Sequence, residues 1–339
     1  MKAEKRSGAA AAAAGDRLVR RSGRDRLPTV RADFFLEPAE RLTEQERALM
    51  SAMLHCLVAE IAGDLRSAFP DRRVAGEGAD HALVERLNRA GLLDDPQLIS
   101  ILLRRADEER VASAAAVRSG RNEARVLQGL VSDDSPAVSA AAMALILARG
   151  RRRDRLGQCL LLFDDLPRET AVELVYRVAA ALKQEGAIAD RELAAAANKV
   201  IARHDSGKST DQLAAALVEA LGDGVGNELL LASANEGELG LLAHLLARSA
   251  GVPPRVAADE LLSGDPASII MLLRLANVLR PIAAGLVAAI GDLLGIDDPA
   301  DAMLGFDALD KAALEQAREL LLSDPAYRSA LAALGDGHG

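Results

Sequence analysis

The chain has no tryptophan, and its aromatic residues amount to 2% of 339 positions. Tyr, Phe and Trp are among the strongest strand formers, so a β-rich core is excluded at the outset. Only two cysteines occur, Cys56 and Cys159, which rules out a disulfide framework and any Cys-rich zinc spacing. Each lies in an apolar run and is expected to be a buried small hydrophobe. The five histidines, His55, His81, His204, His244 and His338, include no His-Glu-x-x-His and no pair at metal-ligand spacing. No metal and no other cofactor is expected.

Long uncharged apolar stretches are also missing. The nearest, Pro281 to Ile290, is interrupted by Gly285 and is too short to span a bilayer. Near the N-terminus Ala9 to Ala14 is too short and too weakly apolar for a secretory signal. No membrane span is expected, and the reading is cytoplasmic. Cationic excess is absent too: the net charge is −9, which argues against nucleic acid as a partner of the whole surface.

What remains is 50% hydrophobic and dominated by Leu, Ala, Val and Ile. Small Ala lets helix axes approach, Leu fills the gaps, and both favour helix. The expected fold is all-α. Asp-Pro punctuates it at Asp95-Pro96, Asp265-Pro266, Asp298-Pro299 and Asp324-Pro325, with looser copies at Asp133-Asp134-Ser135-Pro136 and Asp164-Asp165-Leu166-Pro167. Asp accepts a hydrogen bond from an orphan amide at a helix start, and Pro suits the next position because its missing N–H costs nothing there. The spacing between copies is close to the roughly 33–47 residues of helical-pair repeats. The fold is therefore expected to be stacked short helical hairpins, a HEAT-like α-solenoid or superhelical array with an N-terminal helical segment.

Residues 1–33 read as a disordered Ala/Arg-rich tail and 34–90 as the N-terminal helical segment. There Thr43 and Glu46 form a capping box, with the helix running toward Phe69. Residues 91–221 and 222–339 read as two halves of the repeat region. The spacing predicts helices at about 80–90, 96–105, 107–118, 121–131, 136–148, 152–163, 168–184, 190–203 and 211–221. It predicts further helices at 228–234, 236–249, 255–262, 266–278, 281–294, 299–304, 307–322 and 325–334. Gly120 and Gly150 read as helix stops.

The stretch Leu92-Leu93-Asp94-Asp95-Pro96-Gln97-Leu98-Ile99-Ser100-Ile101-Leu102 resembles the DUF2336 family of alphaproteobacterial proteins. So do Asp107 to Arg118, the helices after Pro136, and Leu166-Pro167-Arg168-Glu169. The resemblance covers residues 40–330. It implies helical, HEAT-like repeats in a bacterial cytosol and supplies no catalytic residues to carry over.

Candidate chemistry is sparse. Gly207-Lys208-Ser209 has the ending of a P-loop, but Ala202 stands where the first glycine belongs and no strand precedes it. Gly222-Asp223-Gly224-Val225-Gly226 lacks the dinucleotide spacing. His204 is a weak phosphotransfer candidate, since such a histidine belongs mid-helix and exposed, whereas His204 ends a helix beside Asp205. The repeated acidic pairs read as caps, because a catalytic pair is needed once and a helix start in every repeat. The basic cluster Arg149, Arg151, Arg152, Arg153 and Arg155 reads either as a solvated loop or as a partner-binding patch for an acidic protein surface, with Arg104, Arg105, Arg118, Arg121 and Arg125 joining it if the repeats stack in register.

The function expected is non-enzymatic: a protein–protein interaction, scaffold or regulatory module with a protein partner. The alternative is a signalling component, by histidine phosphotransfer or small-ligand sensing in a helical pocket. Oligomeric state is left open.

Overall fold

The computed structural model describes residues 43–69, 79–120, 125–184, 188–222, 225–263, 265–294, 296 and 298–336. The tail at 1–33 lies outside them, as do Arg121 and His338. Among the described residues the protein is all-α, as the composition requires, with no strand.

The helices follow in chain order. First come α1 (Glu44–Arg66), α2 (Ala79–Arg89), α3 (Pro96–Ser119), α4 (Arg125–Val131) and α5 (Pro136–Arg151). Next are α6 (Arg168–Lys183), α7 (Asp190–Ile201), α8 (Thr210–Leu221), α9 (Asn227–Asn235) and α10 (Leu239–Ala250). Last are α11 (Pro254–Leu262), α12 (Pro266–Leu275), α13 (Arg280–Leu294), α14 (Pro299–Ala302), α15 (Lys311–Leu322) and α16 (Pro325–Asp336).

The Asp-Pro punctuation works as capping at most of its copies. Asp265 accepts from the Ala267 amide and Asp298 from those of Ala300 and Asp301. Asp95 accepts from Leu98 N and Asp324 from Ala326 N. The Thr43–Glu46 capping box opens α1. Asp164 and Asp165 depart from the pattern: α6 starts after Pro167 with no side-chain cap, and both carboxylates turn to other partners described below.

Three expected helices differ from what forms. The helices expected at 96–105 and 107–118 are one, α3, because Ala106-Asp107-Glu108 contains no breaker and Asp107 is buried within 3.7 Å of Arg110. The helix expected at 152–163 is absent. Gly150 does not stop α5; the helix runs on to Arg151 and then gives way to a loop in which an isolated antiparallel bridge joins Arg153 and Cys159. Gly157 sits at φ +81°, a left-handed position that ends any helical path. Gly120, at φ +65°, does terminate α3 as expected.

The chain divides into two compact units, each assembled from discontinuous segments, and their limits do not coincide with the sequence boundaries at 90 and 221. The N-terminal unit comprises 27–106 and 143–213; the C-terminal unit includes 107–142 and 214–339. In the N-terminal unit α1 packs on α2, α6 and α7, so the described part of 34–90 shares its core with residues up to Ile201. Met50, Met53, Leu57, Ile61, Leu174 and Val178 lie in that core. Among the described residues α1 alone is long and apolar enough to cross a membrane by length and composition; its apolar face is spent on this core. Cys159 is buried, but Cys56 faces outward from α1, against expectation.

In the C-terminal unit α10 packs on α11 and α12, α9 on α13, and α12 on α15. Leu241, Leu242, Leu245, Ile269, Leu272 and Leu286 are fully or almost fully buried there. Each such side chain contributes about 1.5–3 kcal/mol of burial. His244, within that apolar helix, is buried as a core histidine.

Candidate partner-binding site

Helical geometry splits the basic cluster. On α5 the inward row is Leu145, Ala148 and Arg152, all buried. Arg152 is reached by continuing that row three and four residues at a time, so its guanidinium points inward. Arg151, one residue earlier and about 100° round the helix, is exposed. Arg153 and Arg155, beyond the helix, are exposed as well, and Arg149 is half-buried.

Arg152 is therefore removed from the expected patch. Its Nε and Nη2 donate to Asp165, at 2.8 Å to Oδ2 and 2.6 Å to Oδ1 respectively. Nη1 donates to Ala148 O at 2.8 Å and Nη2 also to Lys208 O at 2.9 Å. Asp165 further accepts from Leu162 N at 3.1 Å and Thr210 N at 3.3 Å. A buried pair is tolerated only when the remaining lone pairs and protons are satisfied, and here they are.

This pair joins two motifs that stand apart in sequence. The segment from His204 to Thr210 meets the segment from Arg152 to Leu166. Asp205 N donates to Asp164 Oδ1 at 2.9 Å. His204 Nε2 lies 2.9 Å from Leu166 O, and since a carbonyl only accepts, that nitrogen carries the proton. Its ring is edge-on to Phe163. His204 thus lies past the end of α7, half-buried, with Nε2 engaged. Gly207 and Lys208 fall in a short 3-10 turn, Ser206–Lys208, capped by Asp205, and the Ser209 hydroxyl that follows caps α8 through Gln212 N. Lys208, by hydrogen bond and charge, holds the Asp205 carboxyl below its ordinary value.

Arg104 pairs with Asp211 at 2.8 Å within the N-terminal unit. Arg118 donates to Ala289 O and Asn235 O within the C-terminal unit. Arg125 is exposed, also in the C-terminal unit.

Between Arg152 and Leu160 the chain turns on a dense staple. Asp154 Oδ1 accepts from Leu156 N and Gln158 N, both at 2.8 Å. Asp154 N donates to Gln158 O, Gly157 N to Asp154 O, and Leu160 N to Arg152 O. Arg153 Nη1 reaches back to Gly157 O at 2.9 Å. At the tip stands Leu156, 85% exposed, flanked by the exposed Arg153 and Arg155. An apolar side chain held in water on a hydrogen-bonded loop is a preorganised anchor, with little ordering cost left to pay on contact.

Acidic groups border the other side. On α1, desolvation first, then Asp64, Asp164 and Asp165, push the Glu60 carboxyl upward. Desolvation, Asp154 and Glu60 raise the Cys56 thiol, so it is the reverse of an activated thiolate. Among the described residues no three His, Cys, Asp or Glu side chains gather as a metal site.

Sequence reasoning missed Leu156, Asp154 and the true role of Asp165. A signal for the first two existed: Asp154 three residues before Gly157 is turn chemistry inside a span read as helix. Asp165 carried none, since its partner was hidden in a run of arginines.

Fold and site together define an all-helical protein with a stapled basic and apolar loop. A family model described as an uncharacterised protein conserved in bacteria, DUF2336, matches residues 87–320, and the chain belongs to that family. The match includes the loop. No curated protein and no solved structure matches the chain.

Proposed function

We propose that this protein is a non-enzymatic protein-interaction module of the bacterial cytoplasm, and that the loop from Arg151 to Gly157 is its docking element. The observation that carries the reading is Leu156, exposed at the tip of a loop stapled by Asp154 and flanked by arginines. Loops held by a rigid scaffold are where binding function concentrates. A helical-repeat array of HEAT-like hairpins acting as a scaffold is the architecture that fits the Asp-Pro periodicity. Cytoplasmic residence is the reading that the acid balance, −9, favours.

The signalling alternative by histidine phosphotransfer has less support. His204 Nε2 is already donating to Leu166 O and the ring is half-buried edge-on to Phe163, so Nδ1 is the nitrogen left to accept a phosphoryl group.

The test is an affinity purification of the wild-type protein from its bacterium, alongside a variant carrying Arg151→Glu, Arg153→Glu, Arg155→Glu and Leu156→Ser. The variant retains Arg152, so its circular dichroism should match the wild type. A defined partner lost from the variant supports the reading. The same partners recovered from both would remove the loop from the account.

A further inference from the structure

The exposed apolar surface does not stop at the loop. On α5, Met143 is 42% exposed and Leu147, one turn later, 58%. Arg151 follows one turn after that and is exposed. Positions i, i+4 and i+8 make one row along a helix, here about 12 Å long. The row opposite, Leu145, Ala148 and Arg152, is the buried one. α5 therefore presents Met143 and Leu147 outward, ends the row in Arg151, and leads directly into the stapled loop with Arg153, Arg155 and Leu156.

We infer that this strip, α5 outer row plus loop, docks an acidic amphipathic helix of a partner protein. The inference rests on the interaction-module reading and names the partner class for it. Apolar residues one turn apart on α5 match the i, i+4 pitch of an apolar face on a second helix, which lies on such a row ridge against groove. The exposed guanidiniums of Arg151 and Arg155 border the row and can fork onto carboxylates, which arginine binds in pairs of parallel hydrogen bonds, while Arg153 holds the loop through Gly157 O. The chain as a whole is acidic, −9, so attraction for an acidic helix must come from local groups of exposed arginines such as this one. No Trp occurs, and the nearest thing to a stacking platform is missing from the loop itself, so bases would find charge there without a surface to stack on.

The experiment uses the full chain and a fluorescein-labelled synthetic helix with Leu at i, i+4, i+7 and i+11 and Glu flanking them. Two controls replace every Glu by Lys, or every Leu by Ser. Fluorescence polarisation should show the acidic amphipathic peptide binding at least about tenfold more tightly than either control, and more weakly as salt rises. Leu147→Asp and Arg155→Glu should each weaken it by about tenfold or more, whereas Tyr327→Asp, on the exposed face of α16, should leave it unchanged. Met143→Gln, a milder change, repeats the test should Leu147→Asp perturb the circular dichroism.

Equal binding of the three peptides, or indifference to the strip substitutions, overturns the inference. So does tighter binding of an RNA oligonucleotide or of phosphatidylglycerol vesicles, or sedimentation showing that a second copy of the chain occupies the strip. A protein partner lost with the loop variant, combined with no preference for the acidic peptide, sinks this inference and leaves the interaction-module reading standing. No partner lost with that variant removes both.

Discussion

Arg152 and Asp165 face each other across two chain segments as a bidentate pair, with side chains 3% and 7% exposed. Each also satisfies main-chain groups from a third segment: Arg152 donates to Lys208 O, and Asp165 accepts from Thr210 N. The pair thus fixes the base of the loop that carries Leu156 and the turn that carries His204. It converts an arginine run into one structural residue and three outward ones.

Breaking this pair from one side should be costly. Arg152→Met leaves a buried carboxylate without its partner, and such losses run to about 3–5 kcal/mol. Adding Asp165→Leu should recover only part of that, because Leu162 N and Thr210 N then lose their acceptor, at about 1–3 kcal/mol for each unsatisfied amide. Urea denaturation followed by circular dichroism reads both. A single substitution within 1 kcal/mol of wild type would mean the pair is dispensable.

The C-terminal unit contains a second buried charge with a different consequence. Glu260 on α11 is 3% exposed, and its Oε2 has no hydrogen-bond partner. Burial pushes its carboxyl up to about 7, against the hydrogen bond of Ser268 and the charge of Arg328, with Asp259 and Asp265 adding to the rise. Its folded pKa lies above the ordinary 4.5, so the unfolded chain releases the proton first as pH rises. The stability it lends is full below pH 4.5 and is lost as pH passes through about 7. The loss amounts to about 3 kcal/mol at 1.36 per unit. Glu260→Gln should remove this slope: the stability difference between variant and wild type should grow from pH 5 to pH 8. A constant difference over that range would show that Glu260 is ionised in the fold.

Close packing in the same unit makes a steric prediction. Gly237, between α9 and α10, has φ +70°, and a Cβ there would lie 2.9 Å from Ala115 Cβ and 3.0 Å from both Ala112 Cα and Val111 O. Backbone of α3 cannot yield as a flexible side chain would. Gly237→Ala should cost about 2–5 kcal/mol, from left-handed strain plus overpacking. Gly120→Ala, at φ +65° in open space, should cost only the strain, about 1–2 kcal/mol. The thermal midpoints of the two variants, compared directly, decide it; equal shifts would refute the close approach.

The Asp-Pro caps are the mildest case. Asp265→Ala and Asp324→Ala each remove one amide acceptor at a helix start and should cost about 1 kcal/mol. Asp165→Ala should exceed both severalfold, because that residue is no cap. Chemical denaturation of the three variants tests the distinction.

The helices were legible because capping and periodicity are local. Asp95, Asp265, Asp298 and Asp324 announce helix starts in four residues, and the chain obeys them. The site was misread where a long-range contact decided the outcome. Asp164-Asp165-Leu166-Pro167 reads like any other start, yet Asp165 is claimed by Arg152 and Asp164 by the Asp205 amide, 41 residues on. Arg149 to Arg155 reads as one exposed cluster, a solvated loop or a partner-binding patch, and only the continuation of the Leu145–Ala148 row marks Arg152 as different. The helix expected over 152–163 fails for a local reason that was available, Asp154 with Gly157. His204 and Arg152 share one site because both turn toward the segment at 163–166, a convergence no spacing reveals.

The central claim is that the loop tip meets a protein partner, and the most direct measurement is photocross-linking from it in the living bacterium. A photoreactive residue at Leu156 should yield a discrete cross-linked protein species, while the same residue at Leu304, 72% exposed in the C-terminal unit, should not. Arg153→Glu in the same chain should abolish the species. Cross-linking at Leu156 no greater than at Leu304, or unaffected by Arg153→Glu, would contradict the account.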